Sequence, residues 1–160
     1  MEVGERRVLM SDTNDAEFTT EELLSQAQGN ATAFALASIA YAKEHDLAVE
    51  EYVEFVGRKF APGWEELRGR SVREVARTAA MNWVSVGGTL SSLSGDGEHA
   101  EVVIAGWPEE EHLSALGMTL AESDPLWNIF RPITGYLGIR YSWERQDGAV
   151  RMIFEASGAR

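Results

Sequence analysis

Cysteine is absent from this chain, and histidine is nearly so, with three copies in 160 residues. Without cysteine there is no disulfide, no thiolate nucleophile, no zinc finger and no iron–sulfur cluster. The absence also fits a reducing compartment. Long apolar runs are missing too. The N-terminal stretch MEVGERRVLMSDTNDAEFTT holds two arginines but no apolar core of signal-peptide length, and no run approaches a membrane span. Asn30-Ala31-Thr32 matches a glycosylation sequon, which has no consequence without a secretion signal. Positive charge is scarce: Lys+Arg 14 against Asp+Glu 26 leaves a net charge of −12. That balance disfavours nucleic-acid phosphates and anionic lipid. A cytoplasmic protein with no nucleic-acid partner and no membrane span is expected.

The usual catalytic signatures are also missing. There is no Gly-x-Ser-x-Gly elbow. The glycines at 87, 88, 95 and 97 form neither Gly-x-Gly-x-x-Gly nor a loop ending in Gly-Lys-Ser/Thr, and they suit a helix stop and a hairpin turn. Glu109-Glu110-Glu111-His112 holds one Glu-x-x-His, but carboxylate-bridged metal sites need two such pairs and further acids. It reads as an acidic first helical turn, and Glu44-His45-Asp46 is read in the same way. The acid pairs Glu65-Glu66 and Asp96/Glu98 fall on predicted loops, where solvated carboxylates are the default. No catalytic residue, metal or cofactor is therefore assigned.

What is present is 44% hydrophobic residues, enough for one continuous core. Residues 1–18 are polar and aperiodic and are expected to form a flexible arm; residues 19–160 are expected to form a single α+β domain. Thr20 with Glu21 and Glu22 marks a helix start. Leu23, Leu24, Ala27, Ala31, Phe34, Ala35, Ser38 and Tyr41 then recur at helical spacing, so this face is expected to pack inward. The many alanines suggest close contact with another helix, which a dimer partner would supply.

A second helix carries Val49, Tyr52, Val53, Val56 and Phe60 on one side. It should end at Ala61, since a residue before proline avoids the helical region. Ser71 caps a third, with the stripe Val72, Val75, Ala76, Ala79, Trp83 and Val86, closed by Gly87-Gly88. Residues 89–94 and 99–105 alternate about Gly95-Asp96-Gly97 as a hairpin. A helix is expected over 109–121, and another from Asp124-Pro125 onward, kinked by Pro132.

The last hairpin can be derived in register, because Asp147-Gly148 suits a two-residue primed turn. Counting outward from the Gln146–Ala149 pair puts Trp143 with Met152, Tyr141 with Phe154 and Ile139 with Ala156 on one face. The other face pairs Glu144 with Arg151 and Arg140 with Glu155, opposite charges both times. Helices with a four-stranded antiparallel sheet of two hairpins, separated by a helical segment, define an α+β fold.

Several phrases then acquire a family likeness. EEYVEFVGRKFAPGW, GGTLSSLS, AEVVIAGWP and PLWNIFRPITGYLGIRYSWE, in this order, resemble bacterial domains of the 4-vinyl-reductase type, whose α+β fold is shared with the small subunits of the TRAPP vesicle-tethering complex. The resemblance covers roughly residues 20–156. It implies a homodimer built through the N-terminal helices and an internal apolar channel for a small hydrophobic molecule. Some members carry a cysteine and histidine metal site near the C-terminus, which this cysteine-free chain cannot copy.

Four of the five tryptophans are expected to line the channel, since each joins a large apolar body to one donor. The expected ligand-binding residues are Phe60, Trp64, Asn82, Trp83, Trp107, Trp127, Phe130, Tyr136 and Tyr141, between the third helix, the kinked helix and the inner sheet face. Asn82 is expected to be buried and bonded, either to a neighbouring loop or to ligand. The leading reading is a homodimeric binding or sensing protein for a small apolar or aromatic molecule. One alternative is an enzyme on a small heterocyclic or pigment-like substrate, for which His112, Glu111 and Arg131 are the titratable groups to inspect. The other is an interaction or scaffold subunit, favoured by a broad exposed apolar patch.

Overall fold

The computed structural model describes residues 18–158. The expected arm lies, apart from Phe18, outside the described residues. Helix α1 spans Thr20–Glu44. Its cap is Thr19: the Thr19 hydroxyl accepts from Glu22 N at 3.1 Å, and the Glu22 carboxylate accepts from Thr19 N at 2.6 Å. This reciprocal pair satisfies two of the free donors at the helix start.

The inward face of α1 is not the expected one. Thr32, Leu36, Ile39 and Ala42 are buried, whereas Leu23, Leu24, Phe34 and Tyr41 are exposed, Phe34 by 77%. No Asp, Glu, Lys or Arg occurs between Leu23 and Ala42. With no charge to mark the wet side, the helix has two apolar faces, and spacing alone selects the wrong one.

Helix α2 spans Val49–Phe60 and buries Val53 and Gly57. A Cβ on Gly57 would lie 2.4 Å from Ile129 O and 2.5 Å from Pro132 Cγ, so glycine is what lets α2 approach so closely. Tyr52 and Phe60, expected inward, are 37% and 56% exposed. Ala61 is helical (φ −50°, ψ −44°), contrary to the bias imposed by the following proline. The chain tightens there into a 3-10 turn over Ala61–Leu67 that takes Pro62 into its first positions.

Helix α3, Val72–Ser85, follows expectation: Ser71 and Glu74 form a second capping box, and Val72, Val75, Ala76, Ala79, Ala80 and Trp83 are buried. The sheet is antiparallel throughout, ordered β1-β2-β4-β3, with β1 Thr89–Gly95, β2 His99–Ala105, β3 Ile139–Gln146 and β4 Ala149–Ala156. The derived β3–β4 register is the one observed, Trp143 opposite Met152 and Glu144 opposite Arg151. Both charge pairs form, Arg151 to Glu144 at 2.9 Å and Arg140 to Glu155 at 3.3 Å. Ala100, Val102, Ile104, Val150, Met152 and Phe154 are buried on one sheet face, against which α3 packs.

The single helix expected over 109–121 is two short ones, α4 Glu110–Ala115 and α5 Leu120–Ser123. Gly117 at φ +63° turns the chain between them, and Thr119 caps the second. From Asp124 the chain runs as a 3-10 turn to Ile129 and then as α6, Phe130–Tyr136. Pro132 sits in the first turn of α6, where its missing N–H interrupts no intrahelical bond. The architecture is α+β, helices first and then a sheet with a helical insertion. No helix among the described residues is long and apolar enough to cross a membrane.

Candidate functional site: two cavities sharing Trp107

The 3-10 turn after α2 carries Trp64 back over α6, edge-on to Phe130 at 5.5 Å between ring centroids. The KFAPGW corner thus folds over α6, the last helix of the insertion between β2 and β3. Trp83, from the last turn of α3, stacks on Trp127 at 3.9 Å and on Trp107 at 4.4 Å, with Phe130 edge-on at 6.2 Å. Such offset and tilted pairs add to area burial. Three tryptophans distant in sequence therefore form one cluster.

A cavity of about 240 Å³ lies against this cluster, lined by Ala31 and Ala35 of α1, Phe60, Trp64, Asn82, Trp83, Ser85, Val86, Trp107, Leu126, Ile129, Phe130 and Ile133. Its wall is apolar and holds no titratable side chain. Ala31, Phe60, Asn82 and Ser85 are exposed and mark its open side. Six of the nine residues expected to line a channel are here together: Phe60, Trp64, Asn82, Trp83, Trp107 and Phe130.

The other three are elsewhere. Trp127 is fully buried and does not line the cavity. Tyr141 is half-buried against the core, its hydroxyl donating to Trp127 O at 2.8 Å, and desolvation pushes its phenol far above the ordinary range. Tyr136 is 38% exposed; its hydroxyl donates to the Glu65 carboxylate and its ring lies beneath the Arg68 guanidinium. Asn82 is exposed, not buried. Its amide donates to Thr78 O one turn back, at 2.8 Å, a bond within its own helix and not to a neighbouring loop.

Ala31, Ala35 and Ser85 were not expected on the wall. The two alanines, four apart on α1, were legible as a small-residue stripe, but their partner was taken to be another helix. Both leave room beside Trp83, and Ala31 is also exposed at the cavity's open side.

Trp107 and Val86 also belong to a second cavity of about 230 Å³, lined by Ser25, Gln28, Gly29, Thr32, Gly87, Glu109 and His112. It is polar where the first is apolar. Trp107 Nε1 donates to Thr32 Oγ1 at 3.1 Å, and Thr32 Oγ1 donates to Val86 O at 2.7 Å, so the wall between the two cavities is held by a hydrogen-bonded chain. Gln28 Nε2 donates to Val84 O at 3.1 Å, tying α1 to the end of α3. His112 stands here with Nδ1 buried and without a hydrogen bond; Glu109 lies 3.9 Å away, an ion-pair distance but too long for a hydrogen bond. Glu111 and Arg131 line neither cavity and are exposed. Among the described residues no group of three or more metal-ligating side chains is found.

No family model matches the chain, and no curated protein is significantly similar to it. The 4-vinyl-reductase part of the sequence resemblance thus gains no support. Among solved structures the chain is similar to a trafficking protein particle complex subunit 3 from Naegleria fowleri, covalently bound to palmitic acid. The identity is 13% and the TM-score 0.41, over 83% of this chain and 92% of that one. At those values neither site residues nor a ligand carry across.

Proposed function

We propose that the protein binds or senses a small, uncharged apolar or aromatic molecule in the cavity beside Trp83. The observation that carries this reading is the composition of the wall: Phe60, Trp64, Trp83, Trp107 and Phe130 around about 240 Å³, with no titratable group among the lining residues. Ligand sites are characteristically concave, apolar and aromatic with a few placed polar atoms. Acid–base chemistry has no residue to carry it in this cavity, so the enzyme alternative is the weaker one. A fluorescence titration with neutral N-phenylnaphthylamine tests the reading. Binding is expected in the wild type and is expected to be lost in Ser85→Trp, which fills the open side from an exposed position. Equal binding by both proteins places the probe elsewhere and contradicts the proposal.

The protein is further proposed to act as a homodimer through α1. Leu24, Ala27, Ala31, Phe34, Ser38 and Tyr41 are spaced three and four apart, the repeat of a helix–helix seam. Leu24, Phe34 and Tyr41 are each more than half exposed, within a stretch free of charge. Depletion of charge is what distinguishes the centre of an interface from ordinary surface. The same stripe would serve the scaffold reading, in which the partner on α1 is a different subunit.

A further inference from the structure

Resting on the proposed binding at the apolar cavity and the proposed dimer through α1, we infer that a second copy of the chain completes the site. Helix α1 pairs antiparallel with its two-fold mate, and the partner's Phe34 covers the cavity's open side at Ala31. Ala31 belongs to two surfaces at once: it lines the cavity, and it is exposed on the seam of α1 one turn before Phe34, which is 77% exposed. The seam positions 24, 27, 31, 34, 38 and 41 are separated by 3, 4, 3, 4 and 3 residues, an order that reads the same in both directions. Laid antiparallel on its own copy, the helix therefore meets itself position for position. Ala31 faces the partner's Phe34, Ala27 faces the partner's Ser38, and Leu24 faces the partner's Tyr41. Each of the two central rings falls on an alanine, the self-complementarity a two-fold contact needs. Parallel packing instead sets Phe34 on the partner's Phe34 and gathers the acidic first turns, Glu21 and Glu22, at one end.

Charge selects a second copy as the occupant. Each chain carries −12, so two copies can meet only where acids are absent, and residues 23–42 are the longest stretch without Asp, Glu, Lys or Arg. Asn82 and Ser85, on the same open side of the cavity, fall in the next longest, residues 78–95. A charged partner of another kind finds no counter-charge on this face. Ser38, the polar residue inside the seam, donates its hydroxyl to Phe34 O at 2.8 Å and needs nothing from across the contact. Closing the cavity in this way makes ligand binding and dimerisation strengthen each other.

The absence of cysteine makes the register readable. Ala27→Cys/Ser38→Cys, at two positions that do not line the cavity, is expected to cross-link into a dimer on mild oxidation of the full chain, and neither single variant is. Cross-linked single variants would mean parallel helices, and a double variant that stays uncross-linked would mean no such contact; either result overturns the inference. N-phenylnaphthylamine is then titrated by fluorescence. The locked dimer is expected to bind it about tenfold more tightly than monomeric Phe34→Asp, and Phe34→Ala placed in the locked dimer is expected to bring the affinity down to that of the monomer. Equal affinity in locked and monomeric protein, or in the locked dimer with and without Phe34, would overturn the inference and leave the cavity reading intact. A locked dimer that binds no probe would sink the cavity reading and the inference with it.

Discussion

Helices α1 and α3 begin alike and end up with different neighbours. Each opens on a capping box, Thr19 with Glu22 and Ser71 with Glu74. In α3, Arg73, Glu74 and Arg77 mark the wet face, and the opposite stripe from Val72 to Trp83 is buried against the sheet. In α1 the charges stop at Glu22 and resume at Lys43, and apolar residues occupy both sides. Charge, more than apolar spacing, is what tells a helix which way to face. Where charge is withheld from an exposed face, the face itself becomes the observation to explain.

The largest expected effect separates the two helices outright. Val75, with no exposed surface, replaced by Asp puts an unpaired carboxylate between α3 and the sheet, and urea unfolding should show a loss of about 4 kcal/mol or more. The same change at Phe34 in α1 should leave the stability of the monomer within about 0.5 kcal/mol of wild type. Sedimentation should nevertheless show the proposed dimer gone. A Phe34→Asp protein that unfolds as readily as Val75→Asp would mean that the outer face of α1 packs on its own chain.

Next in size is Gly57→Ala in α2. Its Cβ meets the backbone oxygen of Ile129, which has no rotamer to retreat into. Overpacking of this kind should cost about 1–3 kcal/mol by thermal or urea unfolding. A neutral result would show that α2 and the segment 124–133 are free to separate.

Smaller again are the caps. Ser71→Ala should cost about 1 kcal/mol, because α3 is packed along its length. Thr19→Ala should cost less, since the first turns of α1 are exposed and fray locally. The comparison can be made by hydrogen exchange at the first amides of each helix, and equal losses would remove the distinction drawn between them.

The smallest effect is the acid response. The capping carboxylates Glu22 and Glu74 are held below the usual range by their hydrogen bonds to Thr19 and Ser71, and Glu101 is held there by Arg151 and then His99. Their folded pKa values lie below the unfolded ones, so the unfolded chain takes up protons first. The stabilisation is complete above the ordinary carboxylate pKa and is lost as pH falls through the folded values. Tm should therefore decline on acidification below about pH 4.5. Glu101→Gln should flatten the decline, and an unchanged slope would deny the Arg151 pair its part.

The sequence made the β3–β4 register legible because two independent patterns, apolar alternation and opposite charges across the strands, agree on it. The third helix was legible because its cap, stripe and charges coincide. The orientation of α1 was not, for want of charge. The breaks at Gly117 and at Asp124 were smoothed over because apolar periodicity runs through them. The site was partly legible. Aromatics flanking glycine, proline or a helix end, such as Phe60, Trp64 and Trp107, reach the cavity. Tyr136 and Tyr141 share its helix–strand segment but point to a surface ion pair and into the core. The polar cavity beyond Trp107 was legible only in part: Glu109 and His112 stood out as a Glu-x-x-His pair, but no pattern joined them to Ser25 and Gln28, which come from a separate helix.

The most direct test of ligand binding at Trp83 is to follow the five indole N–H resonances while the neutral naphthylamine probe is added. Trp64, Trp83 and Trp107 line the apolar cavity and should shift together and saturably, while Trp143, on the sheet, should hold its position. Saturable shifts confined to Trp143, or no shift at any of the five, would contradict the account.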